Sequence, residues 1–231
     1  MGTTIDYYFA TMSPWTYLGH ARFAAIAKAA GATVRLRPFD LGKVFPVSGG
    51  LPLAKRAPQR QAYRLVELRR FADHRELPLN LQPAHFPVAG DAAAKLIIAV
   101  DAHDGTDAAM ALTGAVLRGV WVEERDIAAA EHLAAMLKAL GLPERRLEDA
   151  QTAAVLERYD ANTEQAIRDP GLRCADLCDR RRAVLGPGPS RLRRAPPRCR
   201  ARLRAEASAI KKAGASHRLF SGLTTLSSGG H

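Results

Sequence analysis

The stretch Ser13-Pro14-Trp15-Thr16 carries the residue types and spacing best suited to chemistry in this chain. Just ahead of it, Ile5, Tyr7, Tyr8 and Phe9 form a β-branched and aromatic run, the make-up of a buried strand. Four residues later Ser13-Pro14 opens a helix. Ser is a favoured N-cap, and Pro is favoured at the first helical position because its missing N–H would have no partner there. A strand that ends just before a helix N-terminus directs unpaired backbone N–H groups and a partial positive charge at whatever lies above it. A thiolate would be stabilised at that point, and the Ser13 hydroxyl is the group placed to donate to it. For an arbitrary Ser-Pro, a plain helix cap is the better reading; the strand before it and the elements after it favour a site.

Those elements must position Ser13. Tyr17, Ala21, Ala24 and Ala27 keep three-to-four spacing up to a stop at Gly31, and residues 34–38 read as a second strand, giving β-α-β. Residues 40–58 read as an irregular loop broken by Pro46, Gly49, Gly50 and Pro52. Residues 59–74 form a helix with Tyr63, Val66 and Phe71 as its apolar face, and 77–86 are extended. Helices follow over 91–102, 107–123 and 127–140, the last stopped by Gly141, and shorter ones over 145–169. The expected organisation is a first α/β half over 1–40, a helical insertion over 41–169 and a tail over 170–231.

Charge divides the chain sharply. Residues 171–231 hold 14 Lys and Arg against 3 acids, whereas the first 170 hold 20 of each sign. The formal charge of +11 therefore belongs wholly to the tail, and nucleic-acid binding is not the expectation for the balanced part. No apolar run is long enough to span a membrane, and the first residues lack a signal-peptide pattern, so a soluble cytoplasmic protein is expected. The 7 histidines show no metal-ligand spacing, and Asp101, Asp104 and Asp107 lack a full calcium-loop pattern. No metal is expected. All three cysteines, Cys174, Cys178 and Cys199, lie in the tail. Ser13 and Thr16 occupy the two positions of a Cys-x-x-Cys motif, which excludes disulfide exchange there.

Several stretches resemble the 2-hydroxychromene-2-carboxylate isomerases, thioredoxin-like proteins with a helical insertion that are related to DsbA-like proteins and kappa-class glutathione transferases. They are D-Y-Y-F-x-x-x-S-P-W-T-Y-L at 6–18, F-D-L-G-K-V at 39–44, P-x-R-x-A-Y-R-L-V-E-L-R-R at 58–70, L-P-L at 77–79 and L-E-R-Y-D-A-N-T at 156–163. The resemblance covers roughly residues 4–169 and implies a glutathione-dependent cis-trans isomerase of aromatic catabolism. Its cofactor is glutathione, with Ser13 holding the sulfur and Trp15 beside it. In such an enzyme the thiolate adds to a conjugated double bond, the resulting single bond rotates, and the thiol leaves. The substrate is a small aromatic carboxylate, for which Lys43, Lys55 and Arg56 are the candidate cations and Trp15 and Phe86 an aromatic wall. Arg56 is the best of the three, because a guanidinium grips a carboxylate with two hydrogen bonds; solvated loop cations are the competing reading. A homodimer is implied as well. The alternatives are a kappa-like glutathione transferase, weakened by Gly50 standing near a glutathione-binding Asn of that class, and a basic-tailed nucleic-acid-binding protein.

Such a fold should close with β-β-α, yet residues 171–194 show no strand pattern, and Arg180-Arg181-Arg182 stands where a buried strand belongs. The expectation is that this closing unit is missing and the sheet edge exposed. Codons permitted for 171–194, read one nucleotide later, allow V-F-G-A-P-T-Y-V-I-D-G-E-L-F-W-G-Q-D-R-L-D-F-V-E, which is what the resemblance requires. A one-base frame shift near residues 169–173 accounts for both observations, and an inactive product is its consequence.

Overall fold

The computed structural model describes residues 3–168 and the backbone of two later strands, 176–179 and 182–184. Strand β1 (Thr4–Phe9) leads through helix α1 (Pro14–Ala29) to β2 (Thr33–Pro38), which lies parallel to β1 with Thr4 opposite Thr33 and Phe9 opposite Pro38. Parallel neighbours need a crossover, and α1 supplies it. Next come α2 (Leu41–Ser48), a 3-10 turn (Leu53–Lys55), α3 (Pro58–Arg75), α4 (Asp91–His103), α5 (Thr106–Trp121), α6 (Ala130–Ala139), α7 (Arg146–Asp149) and α8 (Ala153–Arg168). Strands β3 (Asp176–Asp179) and β4 (Arg182–Val184) complete a sheet of order β2-β1-β3-β4.

Those last strands correct the expectation that the closing β-β was missing. β3 runs antiparallel to β1, with Tyr7 opposite Leu177, and β4 pairs with β3. The edge of β1 that was expected to be exposed is therefore paired along much of its length. The physical reason is that a ladder is made by backbone groups, and an open strand edge is a template that a charged segment can also occupy. The final helix of the fold and the irregular basic tail fall at residues that lie outside the described ones.

Two further expectations fail. Residues 40–58 are not wholly irregular: the Asp40 carboxylate caps α2, accepting from the amides of Gly42 at 2.8 Å and Lys43 at 3.3 Å. Pro46 sits inside that short helix, and Gly49, with φ 71°, ends it in the left-handed conformation. Gly49 thus stops a helix instead of marking a loop. On α3 the inward face is Arg64, Leu68 and Ala72, whereas Tyr63 and Val66 are 55% and 43% exposed.

β1 explains its own composition. Tyr7 and Phe9 join the main core with Phe23, Leu36, the seven buried residues of α4 and the apolar face of α5. Tyr8 points to the opposite face, against Phe39, Val44 and Ala166. A strand covered on both faces reads as an unbroken apolar run. The insertion is fastened back to the sheet by α8. Asn162 Nδ2 donates to Pro38 O at 3.2 Å, Arg37 donates to Asn162 Oδ1 at 3.1 Å, and the Asp40 amide donates to Thr163 Oγ1 at 3.0 Å. At the far end of α4, Arg146 grips both oxygens of Asp104 at 2.7 and 2.9 Å and reaches Asp149 at 2.7 Å.

A loop over residues 77–90 links α3 to α4 and lies against the start of α1. Tyr17 donates its hydroxyl to Pro78 O at 2.6 Å, the Asn80 amide donates to Trp121 O at 2.7 Å, and Thr11 Oγ1 donates to Gly90 O at 2.9 Å. A Cβ on Gly90 would collide with Thr11 Oγ1 and lie 3.0 Å from Met12 Cε. The Gly90→Ala variant is expected to lose about 1–3 kcal/mol, read as a lower urea midpoint at unchanged slope; an unaltered midpoint would show that this approach does not hold the loop.

Beneath that junction, buried His20 accepts from the Tyr7 hydroxyl at Nδ1 (3.2 Å) and donates from Nε2 to Met110 O (3.0 Å), the arrangement of a neutral ring. Burial pushes the His20 pKa below its ordinary 6.5, and the bond to Met110 opposes this only in part. A depressed histidine contributes stability that is present above the unfolded-state pKa and is lost as the pH falls. Thermal melts between pH 7.5 and 5.5 should therefore show the wild type losing stability faster than His20→Gln; equal slopes would remove His20 from the account.

Candidate active site

Ser13 stands at the turn from β1 into α1, with φ −79° and ψ 125°, extended as an N-cap should be. Its amide donates to Ala10 O at 3.0 Å, and its Oγ accepts from the Thr16 amide at 3.3 Å. The residue is 3% exposed. Because Oγ acts as acceptor in the cap, its own proton has no acceptor among the described residues and remains available to an anion above the helix. Thr16 Oγ1, one turn in, is also buried without a partner. Pro14 at the first helical position spends no donor.

α3 overhangs this point. The Trp15 and Phe71 rings meet edge-on at 5.7 Å, Leu18 packs with Leu68 and Ala72, and the charge of Arg22 acts on Arg75. α1 and α3 thus share a packed face. Arg64 lies seven residues before Phe71, about 10 Å toward the N-terminal end of α3.

Arg64 was not singled out in the sequence, where it falls between Tyr63 and Val66 on a helix whose charges read as solvated. In the structure it is 9% exposed. Its guanidinium lies 5.2 Å from the Phe86 ring centroid and 5.8 Å from that of Trp121, and these rings pack together at 4.8 Å. Each such contact offsets about 0.5–2 kcal/mol of the cost of burying the charge. Burial, helped by the nearby charge of Arg56, lowers the Arg64 pKa to about 10. Two apolar residues three apart had suggested the wrong face; the spacing Arg64, Leu68, Phe71 was the available signal.

The expected site residues divide into groups. Ser13 and Trp15 share the first turn of α1. Phe86 and Arg56 gather around Arg64, the first as a ring contact and the second through its charge. Arg56 donates from Nε to Leu51 O at 2.7 Å and lies 6.0 Å from the Phe45 ring centroid, a ring that a side chain on Gly50 would strike. Lys55 is exposed at the end of the 3-10 turn. Lys43 pairs with Asp160 of α8 at 3.0 Å, and that bond raises its pKa. That pair links α2 to α8. A shallow depression of about 400 Å³ follows residues 84–89 to Asp126 and Ala128, and of the expected site residues only Phe86 lines it.

Comparison with known proteins agrees with this geometry. The model of the DSBA-like thioredoxin domain matches residues 4–169. A 2-hydroxychromene-2-carboxylate isomerase of Pseudomonas sp. (strain C18) is 31% identical over 172 residues, 71% of this chain and 75% of that protein. Glutathione S-transferase kappa 1 of Caenorhabditis elegans is 26% identical over 170 residues, 71% of this chain and 74% of that one. The solved structure of a 2-hydroxychromene-2-carboxylate isomerase superposes with a TM-score of 0.65 at 25% identity, covering 96% of this chain and 100% of the other. The chain belongs to the DSBA-like thioredoxin domain family and is, within it, a relative of the 2-hydroxychromene-2-carboxylate isomerases.

Proposed function

We propose that the chain is a glutathione-dependent cis-trans isomerase of a small aromatic carboxylate, of the 2-hydroxychromene-2-carboxylate isomerase type. The observation that carries this reading is the Ser13 hydroxyl, buried at the N-terminus of α1, with its acceptor lone pair committed to the Thr16 amide and its proton free. Those features fit a thiolate. The residues that would hold glutathione at its sulfur end are Ser13 and, alongside, Trp15. When bound, glutathione would supply a reversible thiol nucleophile. The chain's own residues do the rest. Ser13 donates to the sulfur, the N-terminus of α1 adds a partial positive charge, and Trp15 with Phe86 provides flat apolar surface for an aromatic ring. Arg56 supplies a cation for the carboxylate. The named activities of the Pseudomonas and Caenorhabditis relatives support this reading. A cytoplasmic setting, where glutathione is abundant, belongs to the same proposal; among the described residues no helix is long and apolar enough to cross a membrane.

The test is the isomerisation of 2-hydroxychromene-2-carboxylate followed by absorbance, with and without glutathione. Ser13→Ala is expected to reduce the rate about 10²–10³-fold, as loss of a single donor to a developing charge does, while costing only about 1 kcal/mol of stability as a lost cap. Full activity without glutathione, or in Ser13→Ala, would reject the proposal. The altered reading frame is checked by peptide mapping of protein from its native source: a peptide containing W-G-Q-D-R is expected, and one spanning residues 183–191 as written here would dismiss the frame shift.

A further inference from the structure

Arg64 presents an unusual combination. It is a buried guanidinium with no carboxylate and no hydrogen-bond acceptor among the described residues, whereas Arg146, the other arginine buried among them, is held by Asp104 and Asp149. Removing a charge from water without a counter-charge is among the costliest arrangements a fold can adopt. Phe86 and Trp121 hold the group by their ring faces, which leaves the in-plane N–H donors unspent. Nor are those donors sealed off, since none of the Arg64 nitrogens is among the fully enclosed polar atoms that lack a partner. A second cation, Arg56, is close enough to act on it. Two guanidinium groups near one another, one of them packed against two aromatic rings, form a positive site that lacks its anion among the described residues.

We propose that Arg64, packed over Phe86 and Trp121 with Arg56 beside it, is the receptor for the carboxylate of a flat aromatic acid. Its planar fork suits the two oxygens of a carboxylate, and the half-buried Phe86 ring offers apolar surface to the acid's ring. The partly lowered proton affinity of Arg64 fits an uncompensated cation that gains when an anion arrives, and at neutral pH it remains charged. Assigning the anion to the substrate rests on the isomerase reading above; the existence of the receptor does not.

The experiment keeps the two apart. Trp15 and Trp121 are the two tryptophans of the chain, and both belong to this region, so ligand binding can be followed by intrinsic fluorescence without any thiol present. Chromone-2-carboxylate and its neutral carboxamide are titrated into the full chain, the Arg64→Lys variant and the Arg64→Met variant, after thermal melts have shown that each is folded. The wild type is expected to bind the carboxylate at least ten times more tightly than the amide. Arg64→Met should erase that preference through a 10- to 100-fold loss for the acid alone, and Arg64→Lys, which keeps the charge without the fork, should fall between. Arg64→Met binding the acid as well as the wild type, or a wild type indifferent to the carboxylate, overturns the proposal. A chain that isomerises nothing yet prefers the acid through Arg64 leaves the receptor standing and removes the isomerase reading. An active isomerase whose KM is unmoved in either variant does the reverse.

Discussion

Burial of β1 on both faces and its pairing on both edges is the constraint on which the rest of the molecule depends. Tyr7 and Phe9 need α4 and α5 on one side, Tyr8 needs Phe39, Val44 and Ala166 on the other, and the backbone needs β2 and β3. A strand so enclosed cannot slip by one residue without turning Tyr8 into the main core and Tyr7 out of it. Its C-terminal end is therefore fixed in space, and with it the turn that carries Ser13. The loop contact from Thr11 to Gly90 then sets the distance from that turn to the insertion. Site geometry here follows from strand burial.

The helical insertion contributes charge where the sheet contributes position. The sheet end offers a helix N-terminus and a hydroxyl, which suit a thiolate, and the insertion brings the guanidinium groups of Arg56 and Arg64. Several arginines of the described region are paired, such as Arg35 and Arg37 with Asp6, or Arg158 with Asp101. Arg64 differs from these in being buried against aromatic rings and not against a carboxylate.

Much of this was legible in the residues. β1, α1 and β2 were readable because a buried strand, a Ser-Pro cap and a three-to-four spacing are local signals, and Ser13 followed from them. α2 was not, because Pro46 and Gly49 count as breakers in isolation, and only the cap from Asp40 shows that they sit within and just after a short helix. The inward face of α3 was misjudged because hydrophobicity was taken as a guide to burial. Tyr63 and Val66 are the exposed residues, while Arg64 is buried by rings that arrive from residues 86 and 121, far along the chain. The strands β3 and β4 were illegible since their pairing is a property of β1's backbone edge and not of their own side chains.

The partnership of β1 with β3 also has a cost in time. Tyr7 meets Leu177 across the ladder, so one edge of the central strand has to wait for about 170 intervening residues to leave the ribosome. At ordinary rates of synthesis that interval is on the order of ten seconds or more, far longer than a hairpin needs to form. During it, β1 and β2 lie side by side with one backbone edge open and the insertion still assembling. An open edge is a template for wrong pairing, so the nascent chain is most exposed to it in that window.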